Sequence, residues 1–265
     1  MDLDSFIEMK NVSVLRGDRK ILDSVSLNIS RRENAALIGP NGSGKSTFIK
    51  LITASIYPSY TGEDTVCRLF GNSRWNISEL RSKLGIVTNE LQYDFHNEIT
   101  GYEAVLSGFF SSIGLFTNHK VTQAMKRKAC ETIEMLEVSH LKDKKLETMS
   151  SGEARRFLIA RALANDPEVL ILDEPSNSLD IASSIKFHNT LRKIASQKAK
   201  IILVTHLVSD IIPEIDRFVF FKEGKIFADG GRQDVFTSAK LSELFGVDVK
   251  LTQTDGICAL NIKKN

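Results

Sequence analysis

Apolar and polar positions along the chain alternate in some stretches, bunch in others and recur at helical spacing elsewhere, and each regime predicts a different element. Residues 6 to 29 hold two β-like runs, FIEMKNVSVL and ILDSVSLNI, joined by the polar turn Arg16-Gly17-Asp18 with Arg19 and Lys20. This predicts an antiparallel pair. A third run, Ala35 to Ile38, leads directly into GPNGSGKST and then into FIKLITA, whose apolar residues suit a helix. Two later runs, VLILD at 169–173 and IILVTH at 201–206, are continuous apolar stretches bounded by polar residues, as expected of parallel strands buried on both faces. Between them IASSIKFHNTLRKIA has helical length and spacing, so a right-handed strand–helix–strand crossover is the economical connection. Residues 90–165 show no convincing buried strand and several helical stretches, including VTQAMKRKACETIEMLEV and ARRFLIARALAND. The last of these should stop near Asn165 or Asp166, because Pro167 disfavours helical geometry in the residue before it. After 215, FVFFKEGKIFAD reads as a hairpin turning at Glu223 and Gly224, followed by a short helical and mixed tail.

Composition narrows the class without changing this layout. With 265 residues, 42% hydrophobic and 26% charged, the chain has the make-up of a globular protein with a substantial core, and it has no internal repeats or low-complexity linkers. No stretch approaches the roughly 18 consecutive apolar residues of a membrane span, and MDLDSF lacks the regions of a secretory signal, so neither spanning nor export is expected. A net charge of +2 is too small to indicate a nucleic-acid protein, and Lys126, Arg127 and Lys128 read as a solvated helix face. Cys67, Cys130 and Cys258 stand far apart without CxxC spacing, which suggests neither zinc nor a disulfide framework but thiols in a reducing cytosol.

The strongest local chemistry is GxxxxGK[ST], met by Gly39, Gly44, Lys45 and Ser46. A random chain of this size would carry it by accident on the order of once in a hundred. Glycines let the backbone bend around an anion, and the N-terminus of the following helix adds partial positive charge. A glycine-rich surface turn would have no need of the strand before it and the helix after it. Gly39, Pro40, Asn41, Gly42, Ser43 and Gly44 therefore form a candidate triphosphate cradle. Lys45 should reach the β- and γ-phosphates, Ser46 should ligate magnesium and Thr47 should help hold the α-phosphate. In LILDEP, a strand ending in Asp173 places a carboxylate where it can hold magnesium directly or through water, and Glu174 can orient the attacking water. The implied ligands are a nucleoside triphosphate and Mg2+. The predicted fold class is α/β: a P-loop NTPase (RecA-like) core with an antiparallel β subdomain and a mostly helical inserted subdomain. Its expected parts are 1–89 (antiparallel β part and phosphate loop), 90–165 (helical), 166–230 (rest of the core) and 231–265 (tail).

These residues resemble the ATP-binding-cassette family, in the correct motif order over nearly the whole chain. The resemblance implies a signature segment at MSSGEARR, with Ser150, Ser151, Gly152 and Glu153 preceding the helix that contains Arg155, Arg156 and Arg161. A serine hydroxyl and backbone amides at a helix start can hold a γ-phosphate, by family analogy one bound to an opposing subunit. The D-loop would be Ser178-Leu179-Asp180, and His206, just after IILVT, the switch histidine that touches the γ-phosphate. Three positions depart from the commonest pattern. The glutamine position of LGIVTNELQYDF holds Asn89, with Gln92 three residues on, and either could contact magnesium and the attacking water. Ser151 replaces a glycine, which is tolerable only if that backbone need not adopt positive φ. Arg16 stands where an aromatic residue often stacks on adenine, a task a guanidinium plane can also perform.

Within the family, VTNELQ, VLSGFFSSIGLF and MSSGEARR look most like stand-alone ATPase subunits of molybdate type or photorepair-associated type. The stretch GFFSSIGLF at 108–116 lies where transporter ATPases receive a coupling helix from a membrane subunit, although packing within the helical part would account for it equally. The resemblance therefore implies a transporter energy subunit, in the cytoplasm and peripheral on the inner face of the cell membrane. It would pair with a second copy and with a separate transmembrane permease, without direct nucleic-acid contact. The alternative is a soluble ATPase of the same fold acting on a nucleic-acid or ribosomal partner. Most translation-associated relatives carry two cassettes in one chain, whereas this chain has one.

Overall fold

The computed structural model describes residues 4–59, 64–95, 98–177, 179–197 and 199–263, without the side chains at 89, 92, 93 and 197. Two compact units make up the chain, one from residues 1–80 and 200–265 and the other from residues 81–199. In chain order, the first unit begins with β1 (Ser5–Arg16), β2 (Arg19–Ser30), β3 (Ala35–Ile38), α1 (Lys45–Ile52) and β4 (Val66–Leu69), and α2 (Ile77–Lys83) carries the boundary. The second holds β5 (Leu84–Val87), α3 (Asn89–Asp94), α4 (Gly101–Ser107), α5 (Gln123–Met135), α6 (Ser151–Leu163), β6 (Val169–Asp173) and α7 (Ile181–Gln197). The first unit resumes with β7 (Lys200–Thr205), β8 (Arg217–Lys222), β9 (Lys225–Gly231), α8 (Arg232–Val235), α9 (Ser238–Phe245), β10 (Val249–Thr254) and β11 (Ile257–Ile262).

In the first unit, β1 pairs antiparallel with β2 on one side and β4 on the other, so Ile7 faces Ile29 and Leu69. The alternation of FIEMKNVSVL breaks at Lys10 and Asn11, both exposed between buried Met9 and Val12. A register shift there, with Asn11 at φ 53, inserts the extra residue that returns Val12 to the core face. Strands β7, β3 and β8 run parallel, with Leu37 beside Val204 and Val219, and β9 closes the edge antiparallel to β8. Their continuous apolar runs match burial on both faces. Buried Asn34 pins the start of this sheet: its amide nitrogen donates to Glu214 O (3.0 Å), and its amide oxygen accepts from Ile201 N (2.9 Å). The turn between β8 and β9 has Glu223 at φ 51 and Gly224 at φ 76, the two left-handed residues of a tight hairpin. The tail is more ordered than its sequence pattern suggests. Helix α9, capped by left-handed Gly246, uses Ser238 and Ser242 hydroxyls to accept from Leu251 N and Val249 N of the β10–β11 hairpin.

In the second unit, β5 and β6 run parallel with Ile86 beside Ile171. Only four residues long, β5 was not legible in the sequence. Helix α6 is the hub, burying Ala154, Phe157, Leu158, Ile159, Ala160 and Leu163 around most of its circumference. The Phe157 ring packs so close to Gly101 that an added Cβ there would lie 2.6 Å from it. Helix α6 ends at Leu163 and Asp166 turns left-handed (φ 47) ahead of Pro167, as the proline predicted. The β5–β6 pairing places β5 and β6 in one unit with α3 to α7.

Candidate active site

The phosphate loop lies wholly within the first unit. It leaves buried β3 at Gly39, where an added Cβ would collide with Phe221 O and lie 2.7 Å from Ser43 Oγ. Ser43 N donates to Pro40 O (3.2 Å), and Gly42 and Gly44 take φ of 78 and 106. This curls the backbone into a concave turn that residues with a Cβ resist. The Ser43 hydroxyl is buried with no hydrogen-bond partner. Lys45, also buried, lays its ammonium against Gly39 O (2.7 Å) and Pro40 O (3.1 Å), inside the curve. Ser46 is exposed and Thr47 half-buried at the start of α1. No side chain caps that helix and no acidic residue sits in its first turn, so its positive end is left for an anion.

Groups that no motif predicts hold this loop in place. Gly224 N donates to Ser43 O (3.0 Å), while Gly224 O accepts from Asp23 N (2.9 Å). An added Cβ on Gly44 would lie 2.8 Å from Leu22 Cδ2, and one on Gly224 would lie 2.5 Å from Ile21 O. The loop is therefore clamped between β2 and the β8–β9 turn. Asp23 reinforces the clamp through Lys20 (2.8 Å) and Lys225 (3.2 Å), and chiefly its hydrogen bond to Lys20 lowers its carboxyl from the ordinary 3.8 to about 2. Only the left-handed demand of a Glu-Gly hairpin hinted at Gly224 in the sequence.

Because Ile38 and Thr205 are neighbours in the β3–β7 register, Gly39 and His206 leave adjacent strands side by side. His206 is half-buried. Its position is fixed by Thr205, whose buried hydroxyl donates to Asp210 Oδ2 (2.5 Å) and accepts from Leu207 N (2.9 Å). Arg16 ends β1, exposed, opposite Arg19.

The second unit holds the other predicted residues. Asp173 closes β6, and Glu174 follows in a left-handed conformation (φ 48) that a residue with a side chain adopts at a cost of about 1–2 kcal/mol. Asn177 Nδ2 donates to Glu174 Oε2 (3.0 Å) and fixes the carboxylate. Such strain is often stored where a side chain must be aimed. Ser150 is the exposed N-cap of α6, and Glu153 completes a capping box with it. Ser151 is the first helical residue and is absent from the positive-φ positions, so its lack of glycine is harmless. Gly152 packs on the start of α7, where an added Cβ would lie 3.1 Å from Ser183 Oγ. Asp180 caps α7, accepting from Ser183 N (2.7 Å) and Ser183 Oγ (3.0 Å), and the Ser183 amide above all lowers its pKa. The backbones of Asn89 and Gln92 lie on α3, whereas their side chains, and all of Ser178, lie outside the described residues.

Comparison with known proteins fits this geometry. The family description "ABC transporter" matches residues 22–177. YlmA of Bacillus subtilis (strain 168), an uncharacterized ABC transporter ATP-binding protein, is 33% identical over 246 residues, 92% of each chain. The chain belongs to the ABC transporter family. The hemin import ATP-binding protein HmuV of Bradyrhizobium diazoefficiens is 28% identical over 263 residues, covering 96% of this chain and 94% of that one. A dimeric structure of the ATP-binding cassette MJ0796 in a post-hydrolysis state, with ADP and Pi, matches with a TM-score of 0.68 at 25% identity, over 85% of this chain and 98% of that one. The protein is accordingly an ATP-binding and ATP-hydrolysing subunit of an ABC transporter, a class of ATPase that dimerises and works with membrane permeases. Among the described residues of this ABC ATPase, no helix is long and apolar enough to cross a membrane.

The first unit's cradle suits a triphosphate: a buried hydroxyl lacking a partner, an ammonium turned inward and an uncapped helix start converge on the loop. A magnesium ion needs hard oxygen donors; the first unit offers the exposed Ser46 hydroxyl at the start of α1, and the second, taken by itself, the Asp173 carboxylate at the end of β6.

Proposed function

We propose that two copies of this chain close over two MgATP molecules and that the cycle drives a separate permease at the inner face of the cell membrane. The observation that carries this reading is the clamped phosphate loop, with Lys45 folded inside it and Ser43 Oγ buried and unpaired. In it, residues 39–47 hold the phosphates, Lys45 neutralises the β- and γ-oxygens, and Arg16 stacks on the base. Ser46 and Asp173, with Asn89 or Gln92, hold magnesium, which neutralises developing phosphate charge when bound. Glu174 aims the attacking water and His206 touches the γ-phosphate. Ser150 and Gly152 of the opposing copy complete the site, with Asp180 at the interface. The four-part organisation 1–89, 90–165, 166–230 and 231–265 belongs to the same reading.

A docking face for the permease is supported in the second unit. A cleft of about 250 Å³ is lined by Leu84, Thr88, Leu91, Gly108, Ile113 and Arg161, among others. Of these Ile113 is exposed, as are Leu115 and Phe116 just after it in the chain, Phe116 by 58%. Arg161 donates to Ser112 O (3.0 Å), and burial pushes its guanidinium down to about 10. Within the family, VTNELQ, VLSGFFSSIGLF and MSSGEARR support a place among the molybdate-type or photorepair-associated ATPases. Stimulation of a reconstituted complex by molybdate and not by hemin would separate this from the role named for the Bradyrhizobium relative.

Glu174→Gln tests the catalytic assignment. It should keep ATP affinity, slow turnover at least tenfold, which corresponds to about 1.4 kcal/mol of transition-state stabilisation, and accumulate an ATP-dependent dimer visible by light scattering. Hydrolysis at the parent rate would remove Glu174 from the role.

A further inference from the structure

The start of α6 differs from the start of α1 in a way that bears on the sandwich. Ser150 Oγ donates to Glu153 Oε2 at 2.8 Å, Ser150 N donates to the same oxygen at 2.9 Å, and Ser150 Oγ accepts from Glu153 N at 3.4 Å. A serine hydroxyl carries one proton. While that proton is committed to Glu153, it is unavailable to a phosphate oxygen of the opposing nucleotide. The carboxylate also places a negative charge on the helix end that is otherwise positive, so α6 offers an incoming anion less than α1 does. Mainly the Ser150 backbone amide holds the Glu153 carboxyl below the usual carboxylate range, so the competing acceptor is ionised at neutral pH.

We infer that Glu153 is a positioning residue that restrains ATP-driven dimerisation by retaining the single hydroxyl proton of Ser150, which must change acceptor from carboxylate to phosphate as the sandwich closes. This rests on the proposed role of Ser150 across the dimer. Glutamine at 153 preserves the cap, because its amide oxygen accepts from Ser150 N, but it is a neutral and weaker competitor for the hydroxyl proton. A restraint of this kind sets the ATP concentration at which the transporter subunit engages and leaves the catalytic groups untouched.

The test is a double-mutant cycle in the Glu174→Gln background, reading the ATP concentration for half-maximal dimerisation by light scattering at pH 7.5. Glu153→Gln should lower it about five-fold per site, from the difference between charged and neutral hydrogen bonds, with a melting temperature lower by only about 2–4 °C because the cap itself is kept. Ser150→Ala should raise it, and Glu153→Gln added to Ser150→Ala should then have no further effect. If Glu153→Gln leaves the midpoint unmoved, or if its shift persists without the Ser150 hydroxyl, the restraint is wrong. If instead Ser150→Ala dimerises like its parent, the sandwich role of Ser150 fails, and the restraint with it, by a result that Glu153→Gln alone does not produce. Glu153→Ala, which removes the competing acceptor outright, should shift the midpoint in the same direction as Glu153→Gln, and a shift the other way also overturns the proposal.

Discussion

Gly224 lies far in sequence from every nucleotide motif, yet replacing it with alanine should damage nucleotide binding. At φ 76 an alanine there pays about 1–2 kcal/mol of left-handed strain, and its Cβ would stand 2.5 Å from Ile21 O. Relieving that overlap against a backbone atom costs about another 1–3 kcal/mol, because the obstacle has no rotamer to change. The summed loss of about 2–5 kcal/mol corresponds to a melting temperature lower by about 5–15 °C for a chain of this size. If the turn retreats instead, the bonds from Gly224 N to Ser43 O and from Asp23 N to Gly224 O stretch, and the loop loses one wall of its clamp. Losing about 1 kcal/mol of preorganisation weakens ATP binding about five-fold. Differential scanning fluorimetry and titration with a fluorescent ATP analogue measure the two effects. Gly17→Ala is the control: it shares the left-handed conformation (φ 60) but meets nothing within 4 Å, so it should cost only the strain and leave affinity unchanged. Parent-like affinity and melting temperature for Gly224→Ala, or equal losses in both variants, would refute the clamp.

Two further outcomes follow from burial. Asn34→Ala should destabilise the first unit by about 2–3 kcal/mol in urea denaturation, because it leaves the buried Ile201 amide without its acceptor at 2.9 Å; a loss under about 0.5 kcal/mol would contradict this. Phe116→Ser should fold with a melting temperature near that of the parent yet lose co-purification with the permease, since the ring is mostly exposed, whereas marked destabilisation would place it in the packing of the helical part.

Local chain chemistry wrote much of the fold and the phosphate site into the sequence. A phosphate loop is a strand, a run of glycines and a helix start in succession, so GPNGSGKST after AALI is readable without coordinates. The same holds for Asp173 and Glu174 at the end of an apolar strand, for the helix stop before Pro167 and for the Glu223-Gly224 turn. Short elements escaped: β4 and β5 have four residues each, too few for periodicity to separate a strand from a loop. The β10–β11 hairpin escaped because hydroxyls of α9, not its own alternation, help align it. Only the tertiary structure decided that Gly224 and Leu22 wall the phosphate loop and that Asn34 ties the start of β7 to Glu214. Those facts depend on which atoms lie within 3 Å of one another after the chain has folded, a relation that residue spacing does not encode.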